Sequence, residues 1–477
     1  MSYLDDMRTA CAYQLDAQAA RALGYMGYYD GQSQITALMD SAERETFLRF
    51  LQESYANWCE LIVNAVAERL QVVGFRFGDS TDAAWAIWQA NQLDADSELV
   101  QTDALVCGRS FVLVQADDDN PSGVSITPES PLEATVLYEP GNRRKRIAGY
   151  KRFSDMTLAA MGTGGYAYAP GTVTEVLVLP DEIVTWTPDS QGPVIEANPA
   201  GVVTLLEMQP QPRTSMARAP RSELDPAISF QDRIHTTIFN RMVATDYGAF
   251  RQIWATGVKL ARQITTAADG TSQEVLVQPY NVGANRLLTN ENPDGKFGSF
   301  PESTLVGYLE AVDRDVSHLA AITQTPPHYL LGKMANLSAD AIKAAEAGLV
   351  SKVARRATHI GETWESVMRL ALGLVGDPGA AYIGAEVVWR DFETRSEAQL
   401  VDALTKMATL GVPREVLWQR WGATPQEIQT WQGLSAAQAA QDAANQAAAL
   451  GAADIAKALG QAGAGSPPEA DLSGQSL

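Results

Sequence analysis

The spacing of apolar residues predicts where the first helices lie. From Ser41 to Leu70, apolar residues recur every three or four positions, as they do on one face of an amphipathic helix. A second helical stretch is predicted at residues 83–90. Asp94 has the side chain and the position to cap a third helix that ends near Cys107.

Strand-like runs then replace the helical pattern. A short strand is predicted at residues 111–114, and several more follow between Leu132 and Met208, where β-branched and aromatic residues are punctuated by Pro and Gly. We therefore predict that residues 1–225 form an α+β unit in which helices precede a mostly antiparallel sheet.

Two helices on either side of a β insert are predicted in the middle of the chain. Asp225 and Pro226 supply a cap and a first-turn proline for a helix that reaches about residue 250. Residues 251–300 are turn-rich and strand-like, and a second helix runs from Glu302 to about Thr323. One face of this second helix is predicted to carry an apolar stripe made of Leu305, Tyr308, Leu309, Val312, Val316 and Leu319.

Prolines divide the remaining helical sequence into segments. Pro326 and Pro327 end the second helix, and Ser338 is predicted to cap a long third helix that reaches Leu374. The rest of the chain is assigned as a strand at 385–392 and three short helices between Ser396 and about Gln432. Beyond Leu434 the chain is rich in Ala, Gln and Gly and can form a loose helix, and we expect disorder in the tail at 451–477.

Composition and charge restrict the class of protein. The chain has 477 residues, of which 46% are apolar and 19% charged, so it is too long for a single core and too apolar to be mainly disordered. Its net charge of −21 disfavours a protein that grips nucleic acid by neutralising phosphates, although a channel through which DNA slides is compatible with repulsion. The three cysteines indicate neither a disulfide framework nor a zinc site, and we expect no signal peptide and no membrane span.

No sequence motif for catalysis is found. A P-loop is disfavoured because Gly332 and Lys333 are followed by Met334 where that motif needs Ser or Thr, and the nucleophile elbow G-x-S-x-G does not occur. The acidic run at 117–119 is interpreted as a solvated turn rather than a Mg²⁺ site, and the basic run at 142–146 as a charged hairpin edge rather than a phosphate contact. We therefore predict no enzymatic activity, no metal and no cofactor.

Four segments carry a resemblance to a known family. In these segments, and in the order of its elements over roughly residues 1–435, the chain resembles phage portal proteins of the Gp6-like (SPP1) type. The segments are NWCELIVNAVAERLQVVGFRF at 57–77, ELVQTDALVCGRSFVLVQ at 98–115, ITQTPPHYLLGKMANLSADAIKAAEAGL at 322–349 and GVPREVLWQRWGATPQEI at 411–428.

The resemblance implies a helix-rich α+β portal fold in which about twelve copies assemble as a ring around a channel. The domains it implies are an α+β wing at 1–225, a first stem helix at 226–250, a clip at 251–300, a second stem helix at 301–326, a tunnel loop at 327–337, a long wing helix with a return strand at 338–395, and a helical crown at 396–450, followed by the tail at 451–477.

The resemblance also implies which side chains face the channel. On the second stem helix it predicts an acidic wall that carries Glu302, Glu310, Asp313 and Asp315 beside Arg314, with solvated or subunit-paired carboxylates as the alternative. In the tunnel loop, Lys333 is expected to make a phosphate contact that is blind to sequence. The loop residues expected to reach the duplex are His328, Tyr329, Lys333 and Asn336, with an ordinary helix connection as the alternative.

The partners implied by the resemblance are double-stranded DNA passing through without sequence readout, the terminase large subunit, a head–tail adaptor, and the major capsid and scaffolding proteins. The location implied is the portal vertex of the virion capsid, after assembly in the bacterial host cytoplasm. Two alternatives stay open: a nuclease or hydrolase whose active site is scattered along the chain, and another head–tail structural protein.

Lys333→Ala is expected to leave ring assembly intact, because one exposed cation contributes little to a subunit contact. The same change is expected to alter DNA packaging or retention, because the phosphate contact is lost from every copy at once. The DNA content of phage particles that carry the variant measures this, and normal filling would exclude the role.

Overall fold

The chain folds into a mixed helical and sheet protein. The computed structural model describes residues 3–32, 50–160, 166–188, 192–215, 218–249, 253–257, 262–266, 272–276, 293–299, 305–332, 339–393, 397–423 and 425–462. The helices are α1 Tyr3–Tyr29, α2 Trp58–Ala67, α3 Thr81–Ala90, α4 Leu93–Cys107, α5 Ile228–Ala249, α6 Val306–Thr323, α7 Pro327–Leu331, α8 Ala339–Leu374, α9 Glu397–Thr409, α10 Arg414–Trp421 and α11 Pro425–Ala462.

The strands form five sheets in which every pairing of the described strands is antiparallel. One sheet has the order β4-β5-β6-β7-β8, another has the order β3-β2-β9, and three strand pairs are β1-β14, β10-β13 and β11-β12. The strands are β1 Val72–Arg76, β2 Ser110–Ala116, β3 Val124–Glu129, β4 Ala134–Glu139, β5 Asn142–Ala160, β6 Tyr166–Val178, β7 Glu182–Trp186, β8 Val194–Ala197, β9 Leu205–Met208, β10 Ile253–Thr256, β11 Arg262–Thr266, β12 Ser272–Leu276, β13 Lys296–Ser299 and β14 Glu386–Trp389.

The five-stranded sheet lies between α1 and the three-stranded sheet. Tyr150 of β5 is buried against α1, and its neighbour Gly149 faces the opposite way, because successive residues of a strand alternate in direction. A Cβ atom at Gly149 would lie 2.8 Å from the Cβ atom of Leu205 in β9, so only glycine allows the two sheets to approach this closely. The helix, the five-stranded sheet and the three-stranded sheet therefore form three successive layers.

Helix α8 runs through the main core and joins distant parts of the chain. Its Trp364 is fully buried against Trp88 of α3, with 5.0 Å between the ring centroids. Trp88 in turn packs against Phe75 of β1 at 5.2 Å. Strand β1 pairs with β14, so the segment after α8 packs back against the N-terminal unit.

Several sequence predictions are confirmed by the described residues. The helix pair around the β insert, the long helix that ends at Leu374, the return strand and the two breaks between the C-terminal helices are all present, but the third of these helices, α11, has 38 residues and is not short. The antiparallel character of the sheets in residues 1–225 is confirmed as well.

One predicted helix is interrupted, and two predicted helix starts are wrong. Residues 55–57 break the helix predicted from Ser41 to Leu70, and α2 starts at Trp58, where the Asn57 side chain accepts a hydrogen bond from the amide of Glu60; the predicted start at Ser41 lies outside the described residues. Asp94 does not cap α4; its carboxylate lies in the first turn and accepts a 2.8 Å hydrogen bond from the Trp88 indole. Helix α5 begins at Ile228, since the Asp225 carboxylate is engaged by the hydroxyl of Tyr25.

Three other predictions also differ from the structure. Helix α1 was not predicted, and helix α7 occupies the first half of the predicted tunnel loop. Helix α11 continues to Ala462, so the predicted disorder from residue 451 is wrong for its first twelve residues; residues 463–477 lie outside the described residues. The predicted start of the second stem helix at Glu302 also lies outside them.

A buried cluster of charges fixes the segment before α5 to α8. The Glu223 carboxylate lies 2.8 Å from the ammonium of Lys352 and also bonds the guanidinium of Arg356. Lys352 donates a 3.0 Å hydrogen bond to the carbonyl oxygen of Thr323, the last residue of α6. Burial acts to raise the pKa of Glu223, but the two adjacent cations outweigh it and hold that pKa below its usual range. Both ends of the helix pair α5/α6 are thus tied to one turn of α8.

Glu223→Gln is expected to lower the free energy of unfolding by about 3–5 kcal/mol, because it leaves two buried cations without their counter-ion. The deficit should be complete above the ordinary glutamate pKa of 4.5 and should shrink as the pH falls through the lower pKa of the folded state, where the native carboxylate is itself protonated. Urea unfolding at several pH values measures both effects.

The matched control is Asp402→Asn, which removes an exposed pair with Lys406 on α9. An exposed pair contributes only about 0–1 kcal/mol, so this variant should unfold almost as the native chain does. Equal losses in the two variants would show that burial does not strengthen the Glu223 cluster.

Candidate channel and assembly surfaces

Helices α5 and α6 form a hairpin whose two arms are joined by one bidentate ion pair. The Arg233 guanidinium donates to both carboxylate oxygens of Asp315, with N–O distances of 2.8 and 2.7 Å. Such fork-to-fork geometry fixes the relative orientation of two side chains as well as bringing them together. The hairpin is thereby held as two arms that leave the core side by side.

The apolar stripe of α6 is buried at one end only. Val316 and Leu319, near the core, are almost fully buried, and Val312 packs against them. Towards the β insert the same helix exposes 62% of Val306 and 48% of Leu309. At this end the described residues leave the stripe uncovered, so it presents apolar surface to solvent.

Two of the four carboxylates predicted to form an acidic wall are exposed on α6. Glu310 and Asp313 are exposed on α6, as is Arg314. Asp315 belongs instead to the bidentate pair with Arg233, so its charge is already neutralised within the hairpin. Glu302 lies outside the described residues.

Two of the four predicted loop residues do not lie in a loop. His328 and Tyr329 belong to α7, and the Tyr329 hydroxyl accepts from Arg69 at 2.8 Å and donates to Glu346 of α8 at 3.1 Å. The His328 side chain is 8% exposed and lies 4.0 Å from the same carboxylate. The prediction that 327–337 is one loop is therefore wrong for its first half, because Pro326 and Pro327 start a helix instead of an extended segment. Lys333 and Asn336 lie outside the described residues.

The β insert contains two separate antiparallel strand pairs in the residues described. Strands β10 and β13 pair where the two helices end, which closes the top of the hairpin, and β11 pairs with β12 beyond them. Trp254 lies in β10 opposite Gly298.

The C-terminal helices make little contact with the rest of the described chain. Trp418 of α10 packs against Trp431 of α11, with 5.4 Å between ring centroids. From residue 432 to residue 446 every side chain of α11 is exposed. A helix of 38 residues is about 57 Å long. The stretch at 432–446 is therefore open to contact from outside the chain.

Sequence reasoning missed a cluster of arginines near the start of α5. Arg213 and Arg218 lie on the segment before that helix and share a pocket with Arg21 of α1. One signal was readable: residues 208–222 contain three arginines and no acidic residue, although the whole chain carries a net charge of −21. The contribution of Arg21 comes from a distant part of the sequence and could not be foreseen.

The described residues provide little for catalysis. No group of three or more His, Cys, Asp or Glu side chains in the described part of the chain could hold a metal ion. All three cysteines are buried, and burial raises the pKa of each thiol to about 12, which keeps the sulfur protonated and unreactive. None of the described helices combines the length and apolarity needed to cross a bilayer.

Comparison with known proteins gives the family. A family model described as phage portal protein, SPP1 Gp6-like, matches residues 9–441. The chain therefore belongs to the SPP1 Gp6-like family of phage portal proteins, and its role is that of a portal protein at the capsid vertex. The helix-rich α+β fold expected from the resemblance is confirmed.

The portal proteins of two mycobacteriophages are similar along most of the chain. That of Mycobacterium phage D29 is 29% identical over 406 residues, which cover 80% of this chain and 80% of the relative. That of Mycobacterium phage L5 is 29% identical over 413 residues, which cover 81% and 79%.

Solved structures of gene transfer agent particles are also similar to this chain. A chain in the neck of the native particle, computed with C12 symmetry, has a TM-score of 0.42 at 11% identity and covers 81% of this chain and 95% of its own length. A chain in the native virion has a TM-score of 0.38 at 13% identity, with coverages of 84% and 99%. These TM-scores are too low to support a comparison of domain arrangement.

Leu309→Asp is expected to leave the isolated chain as stable as the native one, because exposed positions tolerate substitution to within about 0.5 kcal/mol. Assembly should be weakened strongly, because a carboxylate would enter the apolar contact that we expect α6 to make. Thermal unfolding and sedimentation velocity measure the two effects.

The matched control is Ser317→Asp, which places the same carboxylate at an exposed polar position of the same helix. This variant should assemble like the native chain. If Leu309→Asp assembles normally, the exposed end of the stripe does not contact a partner.

Proposed function

We propose that copies of this chain close into a ring whose channel conducts double-stranded DNA into and out of the capsid at the portal vertex. The observation that carries the proposal is the apolar stripe of α6, which is buried at Val316 and Leu319 but exposed at Val306 and Leu309. Because the exposed end lies on a hairpin that leaves the core, a neighbouring hairpin in a ring is the partner that would cover it.

Geometry favours a ring over a pair. The exposed end of α6 and the exposed α11 are two different surfaces, and contacts between unlike surfaces repeat from copy to copy until rotation closes the set. Burying a Val and a Leu side chain contributes about 1.5–3 kcal/mol each, so one such contact per interface, repeated around a ring, stabilises the assembly substantially. We infer a ring of about twelve copies.

Charge supports a channel through which DNA slides. In this arrangement, Glu310 and Asp313 would repeat around the wall together with Arg314, and Glu302 is proposed to add to the same acidic wall. A wall with excess negative charge repels phosphates, so the duplex gains no affinity that would hold it in place. Lys333 and Asn336 would supply weak contacts that are blind to sequence, whereas His328 and Tyr329 belong to α7 and pack against the rest of the chain.

The energy for DNA movement is assigned to another protein. The chain lacks the P-loop sequence, so we infer that the ring performs no catalysis of its own and serves as a platform for a terminase large subunit. A head–tail adaptor would follow on the same clip surface, and the major capsid and scaffolding proteins would surround the wing. The protein would thus be assembled in the bacterial host cytoplasm and remain in the virion.

Purified protein is expected to give closed rings with a central hole in negative-stain images. Light scattering should give a mass near 620 kDa for about twelve copies of the 51.4 kDa chain. A chain that stays a monomer at micromolar concentration, or one that cleaves DNA when Mg²⁺ is added, would contradict the proposal and favour the nuclease alternative.

A further inference from the structure

The segment that leads into α5 is a closed loop rich in arginine, here called the arginine loop (residues 211–221). Its neck is closed by a 3.2 Å hydrogen bond from the amide of Arg221 to the carbonyl oxygen of Gln211. The Gln211 side chain donates a 2.7 Å hydrogen bond to Glu223, so the neck is also attached to the buried charge cluster. The two described parts of the loop, residues 211–215 and 218–221, are therefore anchored to the core at the neck.

The arginine loop and α1 enclose a pocket of about 400 Å³, here called the arginine pocket. Its polar lining comes from Arg21, Arg213 and Arg218, together with Tyr25 and Asp225. Asp225 is already engaged, because it accepts from the Tyr25 hydroxyl and lies 3.6 Å from Arg221. Within the described part of the chain, the three lining arginines form no ion pair, so the pocket keeps an excess of positive charge.

A pocket with this lining selects an anion that can enter it. Guanidinium groups form paired hydrogen bonds with carboxylates and phosphates, and they are weakly hydrated, so they give up water more readily than ammonium groups do. The carboxylates of a protein turn and the phosphates of a duplex are both anions of this kind, and the charge-reversal and duplex-binding experiments below distinguish them.

The same chain carries such a turn between β2 and β3, here called the acidic turn (Asp117–Asp119). The amide of Asp119 donates to the Asp117 carboxylate at 3.0 Å, and the amide of Asp117 donates to the carbonyl oxygen of Gly123 at 3.1 Å. Asp118 and Asp119 are exposed, and neither forms an ion pair in the part of the chain that is described. The turn is thus rigid, convex and negatively charged.

The pocket and the turn cannot meet within one chain. Arg356 of α8 bonds Glu223 beside the arginine loop, whereas Val375, just past the end of the same helix, lies against Gly123 of the turn. The nineteen residues between these points correspond to about 28 Å along a helix. Two complementary surfaces, one beside the middle of α8 and the other beside its C-terminal end, are suited to a head-to-tail contact between copies.

We propose that the acidic turn of one copy inserts into the arginine pocket of the next copy, as a heterologous contact of the ring. This inference rests on the proposed ring and adds the pairing that determines which sides of two neighbours meet. Asp118 and Asp119 supply the carboxylates, and Arg21, Arg213 and Arg218 bind them.

Charge reversal tests the pairing directly. Arg218→Glu and Asp118→Arg should each raise the concentration needed for half-maximal assembly by about tenfold or more, because coupled charge pairs at interfaces contribute strongly to binding. The double variant should recover most of the loss, since it restores the pair with exchanged signs. Both residues are exposed, so the folded monomer is expected to keep its thermal stability.

Matched controls are Arg144→Glu in the basic run and Glu98→Arg on α4, which reverse exposed charges away from both surfaces. Both should assemble like the native chain. Assembly is followed by light scattering at a fixed salt concentration, and binding of a labelled duplex oligonucleotide is measured in parallel.

The outcomes separate this inference from the proposed function. Rings formed equally well by Arg218→Glu and the native chain, or a double variant no better than the single ones, would overturn the pairing and leave the ring proposal intact. Loss of duplex binding in Arg218→Glu with normal assembly would mean that the pocket holds phosphates, which also overturns it. A native chain that never assembles would overturn both proposals.

Discussion

The account of this structure depends on one continuous apolar face of α6. At Val316 and Leu319 this face is part of the main core, and at Val306 and Leu309 it emerges from that core on a hairpin arm. A helix cannot fold at one end and leave the same face in water at the other without losing the free energy that burial would supply. In the proposed ring, a neighbouring subunit would supply the surface that covers the arm.

Helix α8 fixes the position of the α5/α6 hairpin relative to the N-terminal core. Through Trp364 it anchors the N-terminal core, and through Lys352 and Arg356 it holds the segment before α5 and the last residue of α6. A buried ion cluster tolerates little displacement, because any misalignment leaves a charge without its partner. Helices α5 and α6 are therefore held at a fixed angle to α8. A closed ring of identical subunits would require such a fixed angle.

Local sequence patterns predicted the helix hairpin, the long helix and the breaks between the C-terminal helices, because apolar periodicity and prolines act within one turn. Helix α1 was not predicted because its buried residues, Cys11, Leu15 and Ala22, are small or far apart in sequence. The pairing of β1 with β14 and the pocket that joins Arg21 to the arginine loop depend on contacts across most of the chain. His328 and Tyr329 were misplaced because two prolines can start a helix as well as end one.

Hydroxyl-radical footprinting of assembled and monomeric protein tests the central claim most directly, since it reports the solvent exposure of individual side chains. Leu309 should react in the monomer and become protected on assembly, whereas Ile383, which is 93% exposed and lies away from the hairpin, should react equally in both. A Leu309 side chain that stays as reactive in the assembled particle as in the monomer would contradict the account.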